Sequence, residues 1–137
     1  MSNISLNNKI YKSRGVILDQ LRLRGFDVSE YENFSLNEIH VLNQNSQLDM
    51  YLSTDEEDSS KKRRCYVKYQ LSGKLTKSLI ADYIEDLYNI ENMLDEKDQL
   101  IIILKDKVNT TVRNIITNIY LKEKRFISVY NMNRFLF

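Results

Sequence analysis

Apolar residues recur every three or four positions in four stretches of the chain, which is the spacing of one face of an α-helix. The first predicted helix begins near Asn7 or Asn8, which are both suitable caps, and stops just before Gly25, which favours a left-handed end. The other three predicted helices span residues 35–43, 75–94 and 112–120. Ser35 and Glu38 have the spacing of a capping box and predict the start of the second helix.

Four other stretches are rich in β-branched and aromatic residues and predict strands at residues 47–53, 64–70, 100–104 and 126–130. The first two flank the charged run 54–63, so we expect a hairpin with a solvated loop. Residues 100–104 are apolar throughout, which is typical of a central strand covered on both faces. The helix between the last two strands predicts a crossover connection and parallel pairing. Residues 131–137 are expected to form one or two helical turns with an exposed apolar end at 135–137.

The order of these elements predicts an α/β protein with three layers and a mixed central sheet, and it is compatible with a restriction-endonuclease-like fold. Active members of that fold place an Asp on one strand and a Glu-x-Lys on the next. Asp49 and the trio Tyr66-Val67-Lys68 occupy these places. Tyr66 stands where the second carboxylate of a Mg²⁺ site is needed, and a phenol is a poor substitute for it. The sequence therefore predicts a catalytically inactive domain with no catalytic residues.

Overall charge and cysteine content exclude several classes of function. Lysine and arginine number 20 against 19 acidic residues, so any charge-driven binding must come from a local patch. Cys65 is the only cysteine, which excludes an internal disulfide and a cysteine-cluster metal site and fits a reducing compartment. The three glycines stand apart and cannot form a phosphate-binding loop. No stretch has the apolar length of a membrane span. We expect no metal, no cofactor and no membrane association.

The remaining reactive or charged residues each have two interpretations. His40 is the only histidine and has no nucleophile placed to act with it, so a partly exposed, hydrogen-bonded role is expected. Cys65 follows Arg63 and Arg64, which would favour a reactive thiolate, but a buried structural thiol is the favoured interpretation. The basic run 61–64 is either a phosphate patch or import signal, or simply part of a solvated loop. The nine tyrosines mostly have core spacing rather than the spacing of a base-stacking platform.

The junction between the central strand and the last helix is the most informative candidate site. Asn109 or Thr110 can cap the helix, whose free backbone N–H groups favour anions. Cationic side chains cluster at the same place, so the sequence predicts an edge that contacts phosphates. The candidate contact residues are Lys105, Lys107, Asn109, Thr110, Thr111 and Arg113.

Five short motifs follow one another in the order seen in a known family. They are residues 24–29 (Arg-Gly-Phe-Asp-Val-Ser), 35–39 (Ser-Leu-Asn-Glu-Ile), 66–69 (Tyr-Val-Lys-Tyr), Lys77 at the start of the long helix, and the hydrophobic strand 100–104. They resemble the N-terminal jaw domain of the fifth subunit that eukaryotic nuclear RNA polymerases and the polymerases of large DNA viruses share. The resemblance covers about residues 9–137.

This resemblance implies a noncatalytic role in a DNA-directed RNA polymerase, with residues 1–137 as one jaw-type domain. The jaw guides downstream duplex DNA, and the catalytic Mg²⁺ belongs to the largest subunits. Expected partners are these largest subunits, duplex DNA bound weakly and without sequence preference, and transcription factors. The resemblance implies the nucleus for a cellular protein, or the viral factory in the host cytoplasm and the virion for a viral one.

The chain departs from the family pattern at two places. The family's Thr-Pro-Ser-Ala turn aligns with residues 109–112, where the proline is absent. The chain also stops before the Asn-Ile-Thr and His-x-Leu-Val-Pro signature of the family's assembly domain, so we expect either an excised jaw domain or a different attachment to the polymerase. The alternative functions are a metal-dependent nuclease of the same fold and a protein-protein module for transcription factors.

Overall fold

A four-stranded mixed sheet forms the centre of the protein. The computed structural model describes residues 3–105 and 107–136. In chain order the helices and strands are α1 (Asn3–Leu23), α2 (Leu36–Gln44), β1 (Met50–Ser53), β2 (Arg64–Gln70), α3 (Lys77–Ile84), β3 (Gln99–Leu104), α4 (Thr110–Glu123) and β4 (Phe126–Asn131). The strand order is β1-β2-β3-β4, with β1 antiparallel to β2 and the other neighbours parallel. The predicted α/β class, hairpin and crossover are confirmed.

Helices cover both faces of the sheet, as the uninterrupted apolar run of β3 predicts. Ile101 and Ile103 belong to a cluster that also contains the buried faces of α1 and α2. Leu100 and Ile102 belong to a second cluster with the buried residues of α3 and α4. Because neighbouring residues of a strand point to opposite faces, only a strand inside two cores has no polar position.

Helix α1 begins earlier than predicted, so the expected cap at Asn7 or Asn8 is wrong. Asn7 lies inside the helix, is only 6% exposed, and contacts His40 and Asn43 of α2. A polar side chain that reads as a helix cap therefore joins two helices instead. The predicted end is confirmed, since Gly25 has a φ of +92°. Neither α1 nor any other helix in the described ranges is long and apolar enough to cross a membrane.

Side-chain hydrogen bonds define the start of α2 and pair the backbone that precedes the shortened β1. The Ser35 hydroxyl accepts from the Glu38 N–H at 3.1 Å, and the Glu38 carboxylate accepts from the Ser35 N–H at 3.0 Å, which confirms the capping box. The first residues of the predicted strand, 47–49, lie outside the ladder. The Arg14 guanidinium donates to the Leu48 carbonyl in this segment, so this carbonyl is hydrogen-bonded although no strand pairs with it.

The third helix is regular only to Ile84 and continues as a π-helical segment, Glu85–Ile90, rather than reaching residue 94 as predicted. The wider turn is closed by the Glu91 N–H, which donates to the Asp86 carbonyl at 2.8 Å. Leu87 and Tyr88 are both buried within it.

The expected exposed end at residues 135–137 is wrong for Phe135. This ring is 4% exposed, belongs to the core cluster of α1, and packs edge-on against Tyr130 with 5.5 Å between ring centroids. A single 3₁₀ turn, Met132–Phe135, follows β4 and brings the ring inward. Leu136 is half-buried, and Phe137 lies outside the described residues.

Candidate functional site

Asp49 and Lys68, the two residues that match the endonuclease pattern, are in direct contact. Asp49 directly precedes β1, and β2 is antiparallel to it, so the sheet brings Asp49 beside Tyr66 and Lys68. One Asp49 carboxylate oxygen accepts from the Tyr66 hydroxyl at 2.9 Å and from Lys68 Nζ at 3.0 Å. The other oxygen accepts from the Tyr69 N–H at 3.0 Å. Every residue of this polar cluster, Asp49, Tyr66 and Lys68, therefore has a protein partner.

Tyr66 acts in this cluster as a neutral hydrogen-bond donor. Burial and the neighbouring Asp49 carboxylate raise the pKa of Tyr66 above its ordinary value, since both oppose a phenolate. Lys68 Nζ also lies 5.2 Å from the centre of the Tyr83 ring, a cation–π contact that helps to hold it beside Asp49. A metal-dependent nuclease needs two or more carboxylates that converge on the ion, whereas this cluster offers one carboxylate, one phenol and one cation. Within the described ranges, no three His, Cys, Asp or Glu residues are grouped to hold a metal ion.

The predicted phosphate-contacting edge lies directly after β3. The Asn109 side chain accepts from the Val112 N–H at 2.8 Å and caps α4, so the capping role falls to Asn109 rather than Thr110. The Asn131 side chain donates to the Lys105 carbonyl at 3.4 Å and joins the edge to the end of β4. Asp106 lies outside the described residues. The exposed members of the edge are Lys105, Lys107, Asn109, Thr110, Thr111 and Arg113.

The two other reactive side chains have structural roles. His40 is half-buried and contacts the Asn7 side chain, as expected. Cys65 has no exposed surface, and burial raises its pKa to about 12 despite the nearby Arg24. The interpretation of Cys65 as a reactive thiolate is therefore wrong, because desolvation outweighs the adjacent cations.

Sequence reasoning missed a basic groove of about 510 Å³ at the opposite end of the parallel strands. Its cations come from distant parts of the chain, and they are Arg24, Arg63, Arg64, Lys97 and Arg125. None of the sequence patterns considered joins these positions. A usable signal exists, however: most of these cations lie at or just before the first residue of a parallel strand, and such ends meet at one edge of the sheet.

Comparison with protein-family models and with curated protein sequences returns no significant match.

Proposed function

We propose that the protein is a noncatalytic component of a DNA-directed RNA polymerase, a jaw-type domain that guides downstream duplex DNA. The positions of the resembling motifs support this. Residues 24–26 follow α1, with the left-handed Gly25 at the turn. Residues 66–69 lie within β2, Lys77 is the first residue of α3, and residues 100–104 lie in β3 before the capped turn into α4. These four motifs thus lie at the helices and strands with which the resemblance associates them, which supports the proposal.

A restriction-endonuclease-like fold without catalytic activity is part of this proposal. The mixed sheet, the helices on both faces, and the contact between Asp49 and Lys68 support the fold. Tyr66 supports inactivity, because its hydroxyl binds the Asp49 oxygen that a metal ion would require. The catalytic metal would then belong to the largest polymerase subunits.

The observation that carries the DNA-guiding role is the cationic edge at the carboxyl end of β3. Lys105, Lys107 and Arg113 are exposed there, and no ion pair among the described residues engages them. The capped start of α4 adds backbone N–H groups and the positive end of the helix dipole. Such an arrangement suits weak contacts with phosphates, and contacts of this kind do not depend on the DNA sequence.

Duplex binding at low salt tests this role. If Lys105, Lys107 and Arg113 neutralise three phosphates, the plot of log K against log salt should have a slope of about −2.7. The affinity should then fall roughly 40-fold between 50 and 200 mM salt. Affinity of the chain alone should be weak, on the order of 10⁻⁴ M. Replacing all three residues by Ala should remove most of that slope, and a control with Ala at Lys12, Lys61 and Lys122, which are exposed away from this edge, should keep it. Equal binding by both variants would exclude this edge as the DNA-facing surface.

Two further assays address the alternative functions. Supercoiled plasmid incubated with the protein and Mg²⁺ or Mn²⁺ should stay intact; cleavage that Asp49→Ala abolishes would overturn the noncatalytic role. Pull-down of the largest polymerase subunits would support the assembly role. Capture of transcription factors without those subunits would instead favour a separate protein-protein module. A nuclear location, or a viral factory and virion location for a viral protein, belongs to the same proposal.

A further inference from the structure

The amino ends of the three parallel strands open onto the basic groove. Arg64, Gln99 and Phe126 are the first residues of β2, β3 and β4, and all three line it. The outer part of α4, with Thr117 and Tyr120, forms another wall. The groove is therefore built on the rigid sheet rather than on a loop alone, and it lies at the opposite end of β3 from the proposed duplex-contacting edge.

The groove carries an excess of positive charge. Among the described residues, five cationic side chains and one acidic side chain, Asp98, line it. Arg64 pairs with Asp95 and Asp98, and Arg125 pairs with Glu123. The cations of this lining without an ion pair in the described ranges are Arg24, Arg63 and Lys97. Asp98 is 1% exposed and its carboxylate is taken up by Arg64 and two backbone N–H groups, so it is not available to the other cations. Low-dielectric walls around charges of one sign concentrate the field and favour an anionic ligand.

Arg24 and Arg63 both lie against the ring of Phe26. Their guanidinium carbons lie 5.6 and 5.8 Å from the centre of the Phe26 ring. Arg24 donates to the Gln99 side chain at 2.9 Å, and Arg63 donates to the Arg24 carbonyl at 3.3 Å. A guanidinium has five N–H donors, so most donors of both residues remain available.

The acidic loop beside the groove borders these arginines without pairing with them. Asp55 and Glu56 border a neighbouring depression together with Arg24 and Arg63. Within the described ranges, neither carboxylate forms an ion pair with either arginine. A ligand therefore competes with a solvated loop and does not have to break an existing salt bridge.

Exposed aromatic rings at the rim of the groove indicate which class of anionic ligand fits it. Tyr120 is 44% exposed and Phe126 is 48% exposed, and their ring centroids lie 5.5 Å apart. Bases of a single strand stack on such rings, whereas the bases of a duplex already stack on each other. An acidic peptide would use the cations but gains little from these rings.

We propose that the groove binds single-stranded nucleic acid. Arg24, Arg63 and Lys97 contact successive phosphates, and the Tyr120 and Phe126 rings stack with bases. DNA and RNA share this chemistry. The site is independent of the duplex-contacting edge, because it uses different residues and a different ligand.

Fluorescence anisotropy with labelled dT₁₂ and U₁₂, and with a 12-base-pair duplex, tests the proposal on the full chain. Both single strands should bind more tightly than the duplex, and the stronger of the two identifies the preferred nucleic acid. Changing Arg24, Arg63 and Lys97 to Gln should make the slope of log K against log salt shallower by about 2.1, the value for three phosphate contacts with a single strand. Tyr120→Ala should weaken binding at least about fivefold through lost stacking.

A control variant with Gln at Lys12, Lys74 and Lys77 removes the same charge from other exposed positions and should keep the wild-type slope. An equal loss in this control would show diffuse electrostatic binding and overturn the site. Tighter binding of the duplex, or of an Asp/Glu-rich peptide of equal charge, would overturn the ligand class. Amide chemical shifts of the wild type avoid any folding defect of the variants: with dT₁₂, changes should centre on residues 97–99 and 126–128, and changes centred on residues 105–113 would contradict the proposal.

Discussion

Removing the Asp49 carboxylate should destabilise the protein, because the carboxylate serves as the acceptor for the polar cluster. Asp49→Ala deletes the partner of the Tyr66 hydroxyl, of Lys68 Nζ and of the Tyr69 N–H. Hydrogen bonds to a charged group contribute about 1.5–3 kcal/mol each. The side chains of Lys68 and Asp49 are 30% and 23% exposed, so water screens this ion pair. The pair therefore adds at most about 1 kcal/mol to the free energy of unfolding.

The expected loss in the free energy of unfolding is therefore about 3 kcal/mol for Asp49→Ala, most of it from the Tyr66 and Tyr69 donors. Tyr66→Phe removes one of these hydrogen bonds and should cost about 1.5 kcal/mol. Lys68→Met should cost no more than about 1 kcal/mol. Urea unfolding at pH 7, with the denaturant slope compared between variants, measures all three values.

A metal site would give the opposite result. Acidic residues kept for metal binding are often held at the expense of stability, so their removal is neutral or stabilising. Mg²⁺ bound only to the folded chain would also raise the midpoint of thermal unfolding. An Asp49→Ala variant as stable as the wild type, together with a midpoint that rises with millimolar Mg²⁺, would refute the structural role of this cluster.

Three other predictions concern groups whose partners the structure defines. Burial raises the pKa of Cys65 to about 12, so between pH 9 and 12 the thiol ionises in the unfolded chain but not in the folded one. Its contribution to the free energy of unfolding is fully present below pH 9 and should fall by about 1.4 kcal/mol between pH 8 and 10. Urea titrations at both pH values measure this loss, which Cys65→Ala should abolish. Asp98→Ala leaves the Arg64 and Asp95 backbone N–H groups without their acceptor and should cost about 2–4 kcal/mol in urea unfolding, whereas an unchanged midpoint would mean that water replaces the carboxylate. Phe135→Ala should cost about 3–5 kcal/mol because the ring is buried, and a thermal midpoint equal to that of the wild type would favour an exposed end instead.

Helix caps set within one turn of the chain were predictable, whereas side-chain roles that depend on a distant partner and the detailed geometry of a helix end were not. The capping box of Ser35 and Glu38 and the left-handed Gly25 are set by residues within one turn, so their spacing suffices. Asn7 was misplaced because its role depends on α2, whose contacting residue His40 lies 33 positions away. The end of α3 was misplaced because periodicity does not distinguish a π-helical segment, Glu85–Ile90, from an α-helix.

The same distinction explains which part of the candidate site the sequence revealed. The edge after β3 is contiguous, from Lys105 to Arg113, and the cap at Asn109 lies inside it. The basic groove is assembled from segments as far apart as Arg24 and Arg125, and only the strand order places them together. To find the groove from the sequence, one must first predict the parallel pairing and then ask which side chains lie at the amino ends of the strands.

The two cationic surfaces are separated by the length of one strand. Gln99 begins β3 at the groove, and Lys105 follows its last residue at the other end, so six steps of about 3.3 Å place them roughly 20 Å apart. This exceeds the Debye length of about 10 Å at 0.1 M salt, so charge removed from one surface is screened from the other. Effects of substitutions on surfaces this far apart are expected to add. A duplex-binding defect in the groove variant, or a single-strand defect in the edge variant, would therefore indicate one continuous nucleic-acid path around the end of the sheet rather than two sites.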